Sequence, residues 1–225
     1  MVLAKSPSFG NGLGLAVHAR LKSRFDYSYI EAAAVQIGED ILEVSAYGAY
    51  FVDSVSNAGL PMKLGDQYLI TKQEANQHDI TYTIHINDHD RILVKAFKDL
   101  VSVRFDGADE DEFKDVVGLM GDYKTGIHYS RDRAQIINDT DAFGQEWQVQ
   151  AGVDPELFLT KSESQGKGCM LPAQGAKDGR RRLGETISVE AATKACEHLG
   201  TKGAVSACIY DVIATGDLDT AAGAY

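Results

Sequence analysis

The run Val117-Gly-Leu-Met-Gly-Asp-Tyr123 sets two glycines around a bulky apolar pair, with a carboxylate directly behind them. Glycines at such a spacing mark backbone that turns tightly or passes close to another segment. Followed by carboxylates and carbonyls in a loop, a turn of this kind can hold a hard cation. Asp106-Gly-Ala-Asp-Glu-Asp-Glu112 is a second acidic run, with five carboxylates in seven residues. It lacks the glycine and the bidentate glutamate at the positions an EF-hand loop requires, so it reads as a solvated turn between strands. His85 and His89 stand four apart, a zinc spacing on a helix. Their segment reads as strand and turn, which makes them ordinary surface histidines. There is no Gly-x-Ser-x-Gly elbow, no P-loop and no Cys-x-x-Cys. No spacing nominates a carboxylate pair for glycoside hydrolysis.

These residues must be carried by elements the rest of the chain supplies. Its 225 residues allow one large domain, or one domain plus a small module. The 22 Lys and Arg against 33 Asp and Glu leave a net charge of −11. That balance argues against nucleic acid or an anionic membrane as partner, since both reward a basic face. It suits cation binding or plain solubility. No stretch has the length of apolar residues that a membrane helix needs, so no membrane insertion is expected. Met1-Val-Leu-Ala-Lys-Ser-Pro7 has no sustained apolar core of the signal-peptide type.

From about Leu15 to Trp147 the chain reads as short strands. Val17–Lys22, Ile41–Val44 and, most clearly, Ile80-Thr-Tyr-Thr-Ile-His-Ile86 alternate apolar with polar residues. Arg91–Phe97 and Leu100–Phe105 continue the pattern. Turn signals at Ala58-Gly59, Leu64-Gly-Asp66, Asn87–Asp90 and Asp106-Gly107 separate them. Tyr29–Ile37 contains an Ala32-Ala-Ala34 run of helical propensity inside what looks like a buried strand. The fold class expected is mainly β: an antiparallel β-sandwich over residues 1–150, followed by a small C-terminal α-helical module. Asp154-Pro-Glu-Leu-Phe158 predicts a short capped helix. Residues 151–185 form a connecting segment, polar and Gly-rich from Lys161, with Arg180-Arg-Arg182 read as an exposed basic turn. In residues 186–225, Val189, Ala192, Cys196 and Leu199 fall at helical spacing before Gly200, and a second helix runs from about Ala204 to Thr215.

Val117–Tyr123, followed about two dozen residues later by Phe143-Gly-Gln-Glu-Trp147 with the chain's only tryptophan, resembles the core signature of von Willebrand factor type D domains. The tail, Ala195-Cys-Glu-His-Leu199, Ala207-Cys-Ile-Tyr-Asp211 and Ala214-Thr-Gly-Asp217, resembles the small cysteine-containing helical module that follows such domains. In the family the aromatic pair lies on a strand and a calcium loop precedes it. Carried over position by position, the resemblance implies that Asp122, the Ile127 carbonyl and Asp132 bind calcium, weakly. Lys124 stands where a middle carboxylate belongs, and the family's opening strand with its aspartate is missing before Met1, as in a chain truncated at its N-terminus. Val117 and Met120 stand where the family has cysteines, so packing is expected to replace disulfides there.

Cys196 and Cys208, on neighbouring helices, could close a disulfide or stay buried thiols, and Cys169 could pair with Cys208 or with an upstream partner. Secretion favours the disulfide between Cys196 and Cys208. Asn138-Asp-Thr140 is a glycosylation sequon, of consequence only in a secretory compartment. The resemblance implies a secreted, non-catalytic module for adhesion or matrix assembly, contacting other extracellular proteins or glycans. A lipid- or ligand-carrying domain is the alternative, and a polysaccharide hydrolase a more distant one.

Overall fold

Ile80, Tyr82 and Ile84 lie on one face of a strand, as their alternation predicts, and all three are buried. A computed structural model of the chain describes residues 1–24, 27–107, 110–160 and 187–223. Two compact units emerge: Met1–Leu21 with Ile30–Lys161, and Lys22–Tyr29 with Ser162–Tyr225. The first therefore runs past residue 150.

The strands are β1 (Val2–Ser6), β2 (Leu15–Arg24), β3 (Tyr27–Ile37), β4 (Asp40–Ser45), β5 (Tyr50–Val52), β6 (Val55–Ser56), β7 (Met62–Leu64), β8 (Tyr68–Asn76), β9 (Asp79–His85), β10 (Arg91–Phe97) and β11 (Leu100–Asp106). They form a six-stranded sheet in the order β1-β2-β3-β4-β5-β6 and a five-stranded sheet in the order β11-β10-β9-β8-β7. Both are antiparallel. Val17, Val35, Leu42 and Val44 of the first sheet share one buried cluster with Ile70, Tyr82, Ile84, Ile92 and Val94 of the second. The inner faces thus meet as in a sandwich. Each such side chain removed from water contributes about 1.5–3 kcal/mol. The Tyr82 hydroxyl, enclosed in this core, donates to the Gly48 carbonyl at 2.7 Å.

The outer face of the six-stranded sheet departs from simple alternation. Leu42, Glu43 and Val44 are all 0% exposed, so β4 is covered on both sides. Ala32 and Ala34 are as buried as Ala33 and Val35, whose side chains point the other way. Ala34 stands opposite Glu43 in the register. The cover is chain beyond the strands: Glu43 Oε2 accepts the backbone N–H groups of Leu159 at 2.6 Å and Thr160 at 3.0 Å. Its Oε1 accepts from the Thr160 hydroxyl. Arg20 stands 3.7 Å from Oε1, donates to the Thr160 hydroxyl and carbonyl, and lies 4.2 Å over the Phe158 ring. A carboxylate with these partners tolerates burial that an unpaired one would not.

Beyond β11 the expected run of strands gives way to irregular chain and short helices. Phe143 and Trp147 are not on a strand: Thr140–Glu146 is a helix with Trp147 at its C-terminal cap. Asp139 caps its N-terminus, accepting the Ala142 N–H at 2.7 Å. A spacing of four residues also sets two aromatics on one helical face. Asp154–Phe158 is not helical. Asp154 turns its carboxylate back to the Gln150 N–H, at 2.8 Å, and to Arg131, so it does not cap forward, while Leu157 is 1% exposed.

In the second unit the helices run Val189–Cys196, Lys202–Thr215 and Thr220–Gly223. Ser188 and Thr201 cap the first two, each accepting the N–H three residues on, and Gly216 ends the second in a left-handed conformation. Cys196 and Cys208 form a disulfide, with their Cα atoms 6.0 Å apart. They pack with Ala192, Val212 and Ala221. Val189, expected on that buried face, is 62% exposed because it opens the first turn. Cys169, the Arg180–Arg182 basic run and most of the connecting segment lie outside the described residues. Among the described residues, no helix is long and apolar enough to cross a membrane.

His18 also lies on the covered outer face, 2% exposed. Desolvation pushes its pKa down to about 4, helped by the N-terminal ammonium and opposed by Asp154. The unfolded chain, with an ordinary histidine near 6.5, binds the proton more readily. Stability from this group is therefore full above the unfolded value and is lost as pH falls from about 6.5 towards 4, by on the order of 3 kcal/mol. Urea unfolding at pH 7 and pH 4.5 should show that loss, and His18→Gln should flatten it. An unchanged slope in the variant would refute the assignment.

Candidate functional site

The Val117–Tyr123 turn is placed by β1. Lys5 N–H donates to the Val117 carbonyl at 2.8 Å and Val117 N–H to the Lys5 carbonyl at 3.0 Å. Leu119 and Met120 N–H groups then reach the Val2 and Leu3 carbonyls at 3.0 and 3.1 Å. This segment occupies the edge of β1 that would otherwise be an open row of donors and acceptors. The two glycines have separate reasons. A Cβ at Gly118 would lie 2.1 Å from the Leu3 carbonyl oxygen, a contact of backbone with backbone that no rotamer relieves. Gly121 has φ +86°, on the side of the map glycine favours. Val117 is buried, whereas Met120 is 49% exposed. Packing thus takes over only at Val117.

Trp147 closes the lobe. It is 0% exposed, clustered with Val2, Val117 and Phe143, and donates its indole N–H to the Tyr129 carbonyl at 3.1 Å. Its backbone carbonyl accepts from Val2 N–H at 2.8 Å. Lys5 Nζ is 5.5 Å from the indole centroid and the Arg131 guanidinium 5.2 Å, so the ring holds two cations. Arg131 also donates to the Glu146 and Gln148 carbonyls and to both Asp154 oxygens, at 2.8 and 2.9 Å. Burial pushes the Asp154 carboxyl up, but the Gln150 N–H and Arg131 outweigh it and hold it below the usual range.

The loop from Asp122 to Asp132 hangs on this frame. Asp122 is 5% exposed, and its Oδ1 accepts from the Thr125 N–H at 2.9 Å and hydroxyl at 2.7 Å. Its Oδ2 lies 3.0 Å from the Arg133 guanidinium. Asp122 N–H takes the Ile127 carbonyl at 2.9 Å, so these two expected ligands do meet, as partners of each other. Asp132 is exposed and binds locally. Its Oδ1 accepts from the Ser130 hydroxyl at 2.6 Å and the Ala134 N–H at 3.0 Å, which hold its carboxyl below the usual range. Lys124 is exposed beside the loop. Among the described residues, no three His, Cys, Asp or Glu side chains converge as metal ligands. These residues fit a cation only with Arg133 moved off Asp122, because the guanidinium already neutralises that carboxylate.

His85 and His89 do not converge: the His85 ring meets the Thr71 hydroxyl at 2.9 Å, and His89 is exposed in the Asn87–Asp90 turn. Arg131, Arg133 and Lys5 were not singled out by sequence, and Asp154 only as the start of a short helix. Their ion-pair partners lie 11 to 149 residues away, at separations that no local pattern signals. No family model matches this chain, and no curated protein matches it.

Gly118→Ala should cost about 3 kcal/mol or more, since the added Cβ meets the Leu3–Ala4 backbone, which cannot step aside as a side chain could. Gly121→Ala should cost about 1–2 kcal/mol, the penalty of left-handed backbone. Urea melts followed by Trp147 emission check both values. Equal costs would remove the close-approach argument.

Proposed function

We propose that this chain is a non-catalytic extracellular module of the von Willebrand type D kind with a disulfide-closed helical module behind it. It serves adhesion or matrix assembly through contacts with other extracellular proteins or glycans. The observation that carries this reading is the Cys196–Cys208 bond across the helical hairpin. Such bonds persist in oxidising compartments and are rare where glutathione and thioredoxin keep thiols reduced. Closing a loop of this separation, 12 residues, contributes about 3 kcal/mol to a module with a very small core. The resemblance at Val117–Tyr123 and Phe143–Trp147 adds support, and the net charge of −11 speaks for protein or glycan partners over nucleic acid. Calcium, in this reading, binds weakly at Asp122 in exchange for Arg133.

In chain recovered from its own cells and denatured without reductant, Cys196 and Cys208 should resist alkylation until reductant is added. Free labelling of both places the protein in a reducing compartment and sinks the proposal.

The cation is tested by thermal melts in EDTA and in millimolar calcium. A ligand present at a hundred times its dissociation constant and binding only the folded state adds about 2.7 kcal/mol. The calcium-induced rise in midpoint should be larger in Arg133→Asn, which frees Asp122 and suits the backbone there, at φ +59°. Identical midpoints in both buffers for both proteins would remove calcium and leave the module reading on the disulfide alone.

A further inference from the structure

Asn138-Asp-Thr140 is the only Asn-x-Ser/Thr triplet in the chain. Its surroundings suit a modified side chain. Upstream, the Ile137 N–H donates to the His128 carbonyl at 2.8 Å, and Ile137 packs on the Trp147 cluster. Downstream, Asp139 caps the helix that begins at Thr140. The backbone is thus held on both sides of Asn138, while Asn138 and Thr140 themselves are exposed in irregular chain and at the first helical position. Neither side chain bonds to any described residue. Ile136, two residues before, is 57% exposed, an apolar surface that a carbohydrate at this point would shade. Nothing in the fold depends on the Asn138 amide, and a bulky polar group there displaces only solvent.

We propose that Asn138 is an N-glycosylation site and carries a single glycan, a proposal that rests on the extracellular reading above. The co-reactant is an oligosaccharide held on a lipid through a diphosphate. A bond forms between Asn138 Nδ2 and the anomeric carbon of the first sugar. The bond from that carbon to the diphosphate oxygen breaks, the lipid diphosphate leaves with its electron pair, and the amide gives up one proton. The hydroxyl two residues on is the feature a sequon-reading transferase requires, so Thr140 is part of the site. The glycan then stands at the start of the Thr140–Glu146 helix.

The test expresses the full chain behind a cleavable secretory leader in eukaryotic cells and reads its mass in lysate and medium, with and without peptide N-glycosidase. The expected result is one enzyme-sensitive step above the 24.4 kDa polypeptide. Asn138→Gln and Thr140→Ala should abolish it and Thr140→Ser should keep it. None of the three should move the urea midpoint of enzyme-deglycosylated protein. A chain that reaches the medium at bare polypeptide mass overturns the site and leaves the compartment reading standing, because that reading is decided by the thiols of chain from its own cells. One enzyme-sensitive step here, with Cys196 and Cys208 freely labelled in chain from its own cells, overturns the proposal through the reading it rests on. Sugar that survives in both Asn138→Gln and Thr140→Ala lies elsewhere and also overturns the proposal.

Discussion

The fold of the first unit depends on covering the outer face of its six-stranded sheet. A two-sheet sandwich buries the inner faces and ordinarily leaves the outer ones to water. Here β4 presents Glu43 outward at 0% exposure. A buried carboxylate is tolerable only when its oxygens are supplied with donors. Leu159 and Thr160 supply backbone N–H groups and a hydroxyl, and Arg20 supplies the countercharge. That one anchor holds the end of the unit to the sheet. Ala34, opposite Glu43 in the register, is 0% exposed as well, a small side chain beside the buried carboxylate.

The candidate site is a consequence of the same layer. The Val117–Tyr123 segment pairs with β1 along its edge, and Gly118 permits the approach by having no side chain. Trp147 then seals the corner, with Lys5 and Arg131 beside its ring and Val2 bonded to its carbonyl. Arg131 ties helix, turn and loop together through two carbonyls and the Asp154 carboxylate. The loop between Asp122 and Asp132 is therefore held by arginines at two points. One of them, Arg133, sits where a bound cation would have to compete.

The second unit shows a different economy of means. Its buried cluster among the described residues is Ala192, Cys196, Cys208, Val212 and Ala221, too little apolar area to hold helices without help. The disulfide supplies that help by limiting the unfolded chain, and the Ser188, Thr201 and Gly216 caps satisfy helix ends that the core is too small to bury.

Much of this was legible in the residues themselves. Period-two alternation set the strands of both sheets, since Ile80, Tyr82 and Ile84 can share a core face in no other regular way. Helical spacing set the two main helices of the tail, and the glycine pair announced a tight, close-packed turn. The Thr140–Glu146 helix was not read from the sequence, because the family likeness favoured a strand at Phe143 and Trp147, and capping by Asp139 decided otherwise. Two things lay beyond any local pattern: the second burial of the outer face and the pairing of Arg133 with Asp122. Each joins residues whose separation along the chain, from 11 to 117 positions, carries no periodic signal. Hydrophobic period is a property of neighbours in sequence, so one sequence can state which face of a strand is apolar. Whether the polar face meets water or another layer of chain is settled only when residues 157–160 fold back over it, and there the buried charges choose their partners.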